Sequence, residues 1–223
     1  EVEACPGCGS CQGMYTANTM ACLCEAMGLS LPLCATMMAV AAGKQRIAYE
    51  SGQRIVDLAK KDIKPRDLVT MKSIENAIRA DMALGGSSNT VLHLMAIAHE
   101  AGVPLGLKDF DRISKETPHL CSMNPAGKWY MEDLHHAGGI PAVMRMLGNR
   151  IQDVITVSGR STHEIMSSVK YYDPEVIKSP ETPEHKEGGI AVLYGNLAVE
   201  GAIVKQAAVE TDMLCFTGAA RVF

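Results

Sequence analysis

The sequence predicts an α/β protein: a mainly helical part reaching about residue 185, followed by the opening of a β-rich part. Three observations predict it. Apolar residues recur at helical spacing in several stretches between 16 and 147, most of them closed by Gly. The composition then changes at Tyr172 to Gly189, where Pro174, Pro180 and Pro183 sit among charges. Beyond it come short apolar runs at 190–193, 202–204 and 219–223, separated by Gly. A boundary near 185 therefore divides the chain into 1–185 and 186–223.

Each element has a local reason. Residues 4–13 form a loop, because Pro6, Gly7, Gly9 and Gly13 break regular structure. A helix from Thr16 to Met27 follows, with Met20, Cys24 and Met27 on one face and Gly28 as its stop. Pro32 makes 29–33 a connector. A second helix, rich in Ala and Met, is expected from Ala35 to Lys60, with Gly43 and Gly52 as weak points. Pro65-Arg66-Asp67 is a turn and Leu68 to Met71 a short strand. Ser73 reads as the N-cap of a helix ending at Gly85-Gly86, with Asn76 in the capping-box position. Ser87-Ser88-Asn89 opens the next, from Thr90 to Ala101, with Gly102 as its stop. A short helix at Asp109 to Lys115 ends before Pro118. Leu134 to Leu147, interrupted by Gly138-Gly139 and Pro141, reads as two short helices. Val154 to Ser158 is a strand candidate and 172–189 a linker.

Of the 223 residues 47% are hydrophobic and 4% aromatic, so the core is aliphatic and Met-rich. Lys and Arg number 21 against 25 Asp and Glu, which leaves no basic footprint for nucleic acid. No apolar run approaches the roughly 18 residues of a membrane span. The chain opens without an initiator Met and stops in a strand-like run, as an internal piece of a longer protein would. Six of the eight cysteines fall in the first 34 residues, a distribution that suits free thiols and a reducing cytoplasm better than disulfide staples.

Cys5, Cys8 and Cys11 form a C-x2-C-x2-C run in Gly-rich backbone, which lets neighbouring thiolates converge on one centre. The ferredoxin-like run would need a cysteine at 15, where Tyr15 stands, and no second compact Cys/His group completes a zinc site. Metal or cluster ligation, redox thiols and incidental cysteines all stay open on spacing alone. Cys11 lies just before a helix, whose dipole favours a thiolate. Gly85 to Asn89 could offer backbone donors to an anion, or simply cap a helix. Asn89 and His93 share a helical face, with His93 read as a core histidine. His135-His136 reads as structural, and Ser158 to Thr162 as a polar turn without a partnered base.

The run Ala4 to Met20 (ACPGCGSCQGMYTANTM) closely resembles a signature of the dihydroxy-acid and phosphogluconate dehydratase family. Glu25 to Pro32, Gly85 to Leu94 (GGSSNTVLHL), Gly188 to Ala198 (GGIAVLYGNLA) and Ala219 to Phe223 match further family words in order, and the wording of Gly13 to Met20 resembles the dihydroxy-acid branch. The resemblance implies helices around a mostly parallel sheet, followed by the first strands of a β-barrel-like, swivelling C-terminal domain. It implies dehydration of 2,3-dihydroxy carboxylic acids to 2-keto acids, in valine and isoleucine biosynthesis, by a cytoplasmic homodimer. It also implies an iron–sulfur cluster, [2Fe-2S] or [4Fe-4S], acting as Lewis acid on the 3-hydroxyl, and a Mg²⁺ at the substrate's carboxylate end.

Residue by residue, Cys11 matches the third cluster cysteine. Cys8 stands where relatives often carry Ala, and Cys5 receives no role. The other two cluster cysteines, the Mg²⁺-binding acids, a modified lysine and the catalytic serine would lie outside this chain, and Ser161 is not that serine. No catalytic residue is therefore expected here, and the chain alone is expected to be inactive. Ser88 replaces a usual Thr, Leu33 a usual Gly and Val199 a usual Pro. Two other readings are a sugar-acid or 6-phosphogluconate dehydratase, and a non-catalytic Cys-rich metal-binding module.

Overall fold

A computed structural model describes residues 8–219 and residue 221. In chain order it holds α1 (Thr16–Ala26), α2 (Ala42–Lys60), α3 (Pro65–Leu68), α4 (Met71–Leu84), α5 (Asn89–Ala101), α6 (Leu107–Glu116), α7 (Met131–His136), α8 (Gly139–Leu147), α9 (Thr162–Ser167), β1 (Ala191–Leu193) and β2 (Ala202–Val204). Helix α4 is the hub, packing against α1, α5, α6 and α8. It buries Ile74, Ile78, Met82 and Leu84 together with the polar Asn76, Arg79 and Asp81. Around it lie Leu23 of α1 and Met27 at its C-cap, Phe110 and Ile113 of α6, and Val143 and Leu147 of α8. No helix among the described residues is long and apolar enough to cross a membrane.

Helix α1 ends where the sequence places its stop, Gly28 taking φ +81. Helix α2 begins seven residues later than expected, at Ala42 rather than Ala35. The buried carboxylate of Glu25 accepts the backbone N–H groups of Leu33 (2.7 Å) and Ala35 (2.9 Å), folding this stretch into turns. Residues 68–71 are not a strand: Leu68 ends α3 and Met71 starts α4. The cap of α4 is Thr70, not Ser73. Ser73 is the reciprocal partner, its Oγ accepting from Thr70 N at 2.8 Å. The expected strand at 154–158 reduces to an isolated Ile155–Ser161 bridge within a turn. Leu134 to Leu147 does split, with α7 ending at His136 and α8 starting at Gly139.

Among the described residues the one ladder is the antiparallel β1–β2 pair, in register Ala191–Val204, Val192–Ile203 and Leu193–Ala202. The expected third run, 219–223, and the Cys5 end of the cysteine run lie largely outside the described residues. The stretch 172–189 is irregular but docked. Val176 and Ile177 are in the core, Lys178 N donates to Leu120 O, and Glu184 N donates to His119 O. Its end crosses α4 backbone to backbone. A Cβ on Gly189 would stand 2.3 Å from the Gly85 Cα, and Gly85 itself has φ +56, so both glycines are required there.

Candidate functional site

The cysteine loop is held from below by one side chain. Asn18, buried on α1, donates through Nδ2 to Cys11 O (2.5 Å) and Gly13 O (2.7 Å), while its Oδ1 accepts from Ser10 Oγ (2.6 Å). Two flanking bonds fix the rest: Met14 N donates to Asn124 O at 2.6 Å, and Met131 N donates to Gln12 O at 2.9 Å. The Cys11 backbone is thus pinned while its side chain stays exposed. Cys8 is exposed as well.

Both thiols open onto a cavity of about 860 Å³, which Cys24, Cys34 and Lys44 also line. Lys44 is its one cation among the described residues; its Nζ donates to Cys34 O at 2.7 Å and lies 3.9 Å from Cys34 Sγ. The wall at 33–36 is the turn that Glu25 holds. Burial pushes the Glu25 carboxyl up to about 7, although the Ala35 and Leu33 N–H groups and the Lys44 charge pull it down. Leu33 sits in this turn at φ +66, a left-handed conformation that costs a non-glycine residue about 1–2 kcal/mol.

Among the described residues no three His, Cys, Asp or Glu side chains converge to hold a metal. Of the thiols that line the cavity, Cys11 is exposed and stands on backbone that Asn18 pins. That fits one ligand of a centre completed by other parts of a longer protein.

The other candidates separate. In residues 85–89, Ser87 Oγ and Asn89 Nδ2 both meet Thr16 Oγ1 at 2.9 Å, tying the starts of α1 and α5 together. His93 is exposed, not a core residue. His135 Nδ1 hydrogen-bonds Thr36 Oγ1 at 3.0 Å, a structural role. Ser158 is buried against Thr156 Oγ1 (2.8 Å), and Ser161 caps α9 by accepting from Glu164 N. The S-x-x-E spacing of Ser161 and Glu164 is a capping-box signal for a helix the sequence reading passed over.

Two buried groups carried no local signal. Asp81 is fully buried, accepts from Thr90 Oγ1 and has Oδ1 without a partner among the described residues; burial pushes its carboxyl up to about 7. His119 stacks on His185 with their Nδ1 atoms 2.8 Å apart. Its Nε2 lies 2.9 Å from Cys121 O, which can only accept, so Nδ1 of His119 accepts from Nδ1–H of His185. Burial, with the neighbouring His185, lowers His119 to about 4.

Comparison with known proteins gives the family. A family model described as dihydroxy-acid/6-phosphogluconate dehydratase N-terminal matches residues 1–165, and its C-terminal counterpart matches residues 175–223. Over all 223 residues the chain is 59% identical to a dihydroxy-acid dehydratase of Geobacter sp. (strain M21) and 59% identical to that of Citrifermentans bemidjiense. It is 57% identical to that of Methanospirillum hungatei JF-1. In each case it covers 100% of this chain but only 40–41% of the relative. The chain thus spans about 40% of the length of the curated relatives it matches. With a family model for the N-terminal part and one for the C-terminal part matched in order, the chain belongs to the dihydroxy-acid/6-phosphogluconate dehydratase family.

Proposed function

We propose that the full-length protein removes water from 2,3-dihydroxy carboxylic acids to give 2-keto acids, on the route to valine and isoleucine, and that this chain supplies Cys11 as one ligand of its iron–sulfur cluster. The observation that carries the proposal is the exposed Cys11 thiol on backbone that Asn18 holds fixed, at the mouth of the cavity. A cluster bound through that thiol would supply Lewis acidity toward a departing hydroxyl, which leaves poorly unaided.

The chain's own residues do the positioning. Asn18 fixes where the thiol stands, Glu25 shapes the facing wall, and Lys44 lends that wall positive charge. With the reading go a [2Fe-2S] or [4Fe-4S] cluster, a Mg²⁺ held by residues outside this chain, and a cytoplasmic homodimer. The whole enzyme would place its helices around a mostly parallel sheet, with β1 and β2 among the first strands of a barrel-like C-terminal domain.

The test is keto-acid formation by the full-length protein, purified without oxygen and offered 2,3-dihydroxyisovalerate and 6-phosphogluconate side by side. Turnover of the first alone is expected; turnover of 6-phosphogluconate alone would move the protein to the sugar-acid branch. Cys11→Ala is expected to abolish both bound iron and turnover, while Cys8→Ala keeps both. An iron-replete, active Cys11→Ala protein would sink the ligand assignment.

A further inference from the structure

Helix α2 is 19 residues long and none of them is buried. Its half-buried positions, among them Ile47, Arg54 and Leu58, mark the side turned toward the body. The side turned away is the apolar one. At 100° per residue, Gln45, Ala48, Tyr49, Gly52, Ile55, Val56 and Ala59 fall within about 60° of Gly52; Gln45 is the one polar side chain among them, and no Lys, Arg, Asp or Glu falls in that arc. Tyr49 is 73% exposed, Ile55 63% and Val56 50%. Gly52 has open space where a Cβ would be. An uncharged stripe facing water along a whole helix is the mark of a surface that something covers.

Area decides between occupants. Nineteen residues make a helix about 28 Å long, and one face of it offers roughly 300 Å². Taken alone, that is well short of the roughly 800 Å² per partner of a complete interface between separate molecules. It is ample for packing within one polypeptide, where the partner is already tethered and its effective concentration is high. The relatives are about two and a half times as long as this chain, so most of such a polypeptide is still to be placed. The route of the backbone indicates which part. A Cβ on Gly9 would lie 2.7 Å from that of Ala39, so the chain coming through the cysteine loop passes just three residues ahead of the start of α2 at Ala42.

We infer that the apolar face of α2, centred on Gly52, is the docking surface for the part of the full-length polypeptide that precedes Glu1. Helix α2 then links that part to the wall of the cysteine cavity, since the turns at 33–41 lead directly into it.

The experiment uses the full-length protein with Ile55→p-benzoylphenylalanine, made as an equal mixture of ¹⁴N and ¹⁵N copies, irradiated, digested and read by mass spectrometry. Cross-links from residue 55 to peptides preceding Glu1, each within one isotopic copy, are the expected result. Cross-links between isotopic copies would replace the proposal by a subunit interface, and cross-links to peptides beyond Phe223 would replace it by the C-terminal domain. A measurement free of any substitution accompanies it. Amides of residues 47–60 in the unmodified full-length protein should exchange about 100-fold or more slower than an uncovered helix allows. Free exchange, or no cross-link at all, overturns the inference.

Discussion

At the scale of single residues, Asn18 and Leu33 make the sharpest predictions. Asn18→Ala removes three hydrogen bonds and leaves the buried Gly13 carbonyl with the Tyr15 N–H alone. A loss of about 2–3 kcal/mol is expected, with iron content falling because the Cys11 backbone is no longer held. Thermal melting and iron analysis of the full-length protein check both. Leu33 at φ +66 reverses an ordinary ranking. At most positions Leu→Ala costs less than Leu→Gly, but here Gly relieves the left-handed backbone and Ala does not. Leu33→Gly is expected to melt higher than Leu33→Ala, by about 1 kcal/mol in stability; the opposite order would refute the strain. The sequence showed Leu33 as a departure from a family Gly, but not that its N–H is held by a buried Glu25. A carboxylate 8 positions upstream within an apolar helix leaves no pattern to read.

At the scale of elements, helix stops were more legible than helix starts. Gly28, Gly85 and Gly102 all close their helices in left-handed geometry, because only glycine takes it cheaply. Starts depend on which of several hydroxyls wins the cap, and Ser73 lost to Thr70 by three residues. Helix α2 shows the same limit, since its first expected turns are pulled away by Glu25 from another helix. Helix α9 was readable and missed. Its cap gives a clean test: Ser161→Ala should cost about 1 kcal/mol, read as a lowered melting temperature, without loss of bound iron. At the cavity, the sequence singled out Cys11. It could not reveal Asn18, or the placing of Lys44 beside Cys34, because those contacts form only on folding.

For the whole molecule, buried titrating groups oppose each other. Glu25 and Asp81 rise from 4.5 and 3.8 to about 7, so the folded state holds extra protons between those values. Their contribution is full in acid and is lost as pH rises toward 7. His119 falls from 6.5 to about 4, so its contribution is full above 6.5 and is lost as pH falls toward 4. Two carboxyls against one imidazole leave a net decline of stability from pH 5 to 7. Asp81→Asn removes one carboxyl and should flatten that slope. Chemical denaturation of wild-type and variant full-length protein at pH 5, 6 and 7 checks it, and an unchanged slope would refute the assignment to Asp81.

The crossing of Gly189 over Gly85 has a consequence for how the chain can be cut. The prolines of 172–189 look like slack rope, yet Gly188 N is tied to Ser114 O, Gly189 N to Met82 O, and Ile190 O to Ser114 Oγ. Those ties hold 188–190 against α4 and α6. The hairpin loop between β1 and β2 is open to a protease, with Leu197 98% exposed. A nick at that loop would leave two pieces still clasped by the β1–β2 ladder and by Ala207 N on Gly189 O, so the severed chain would travel as one until unfolded.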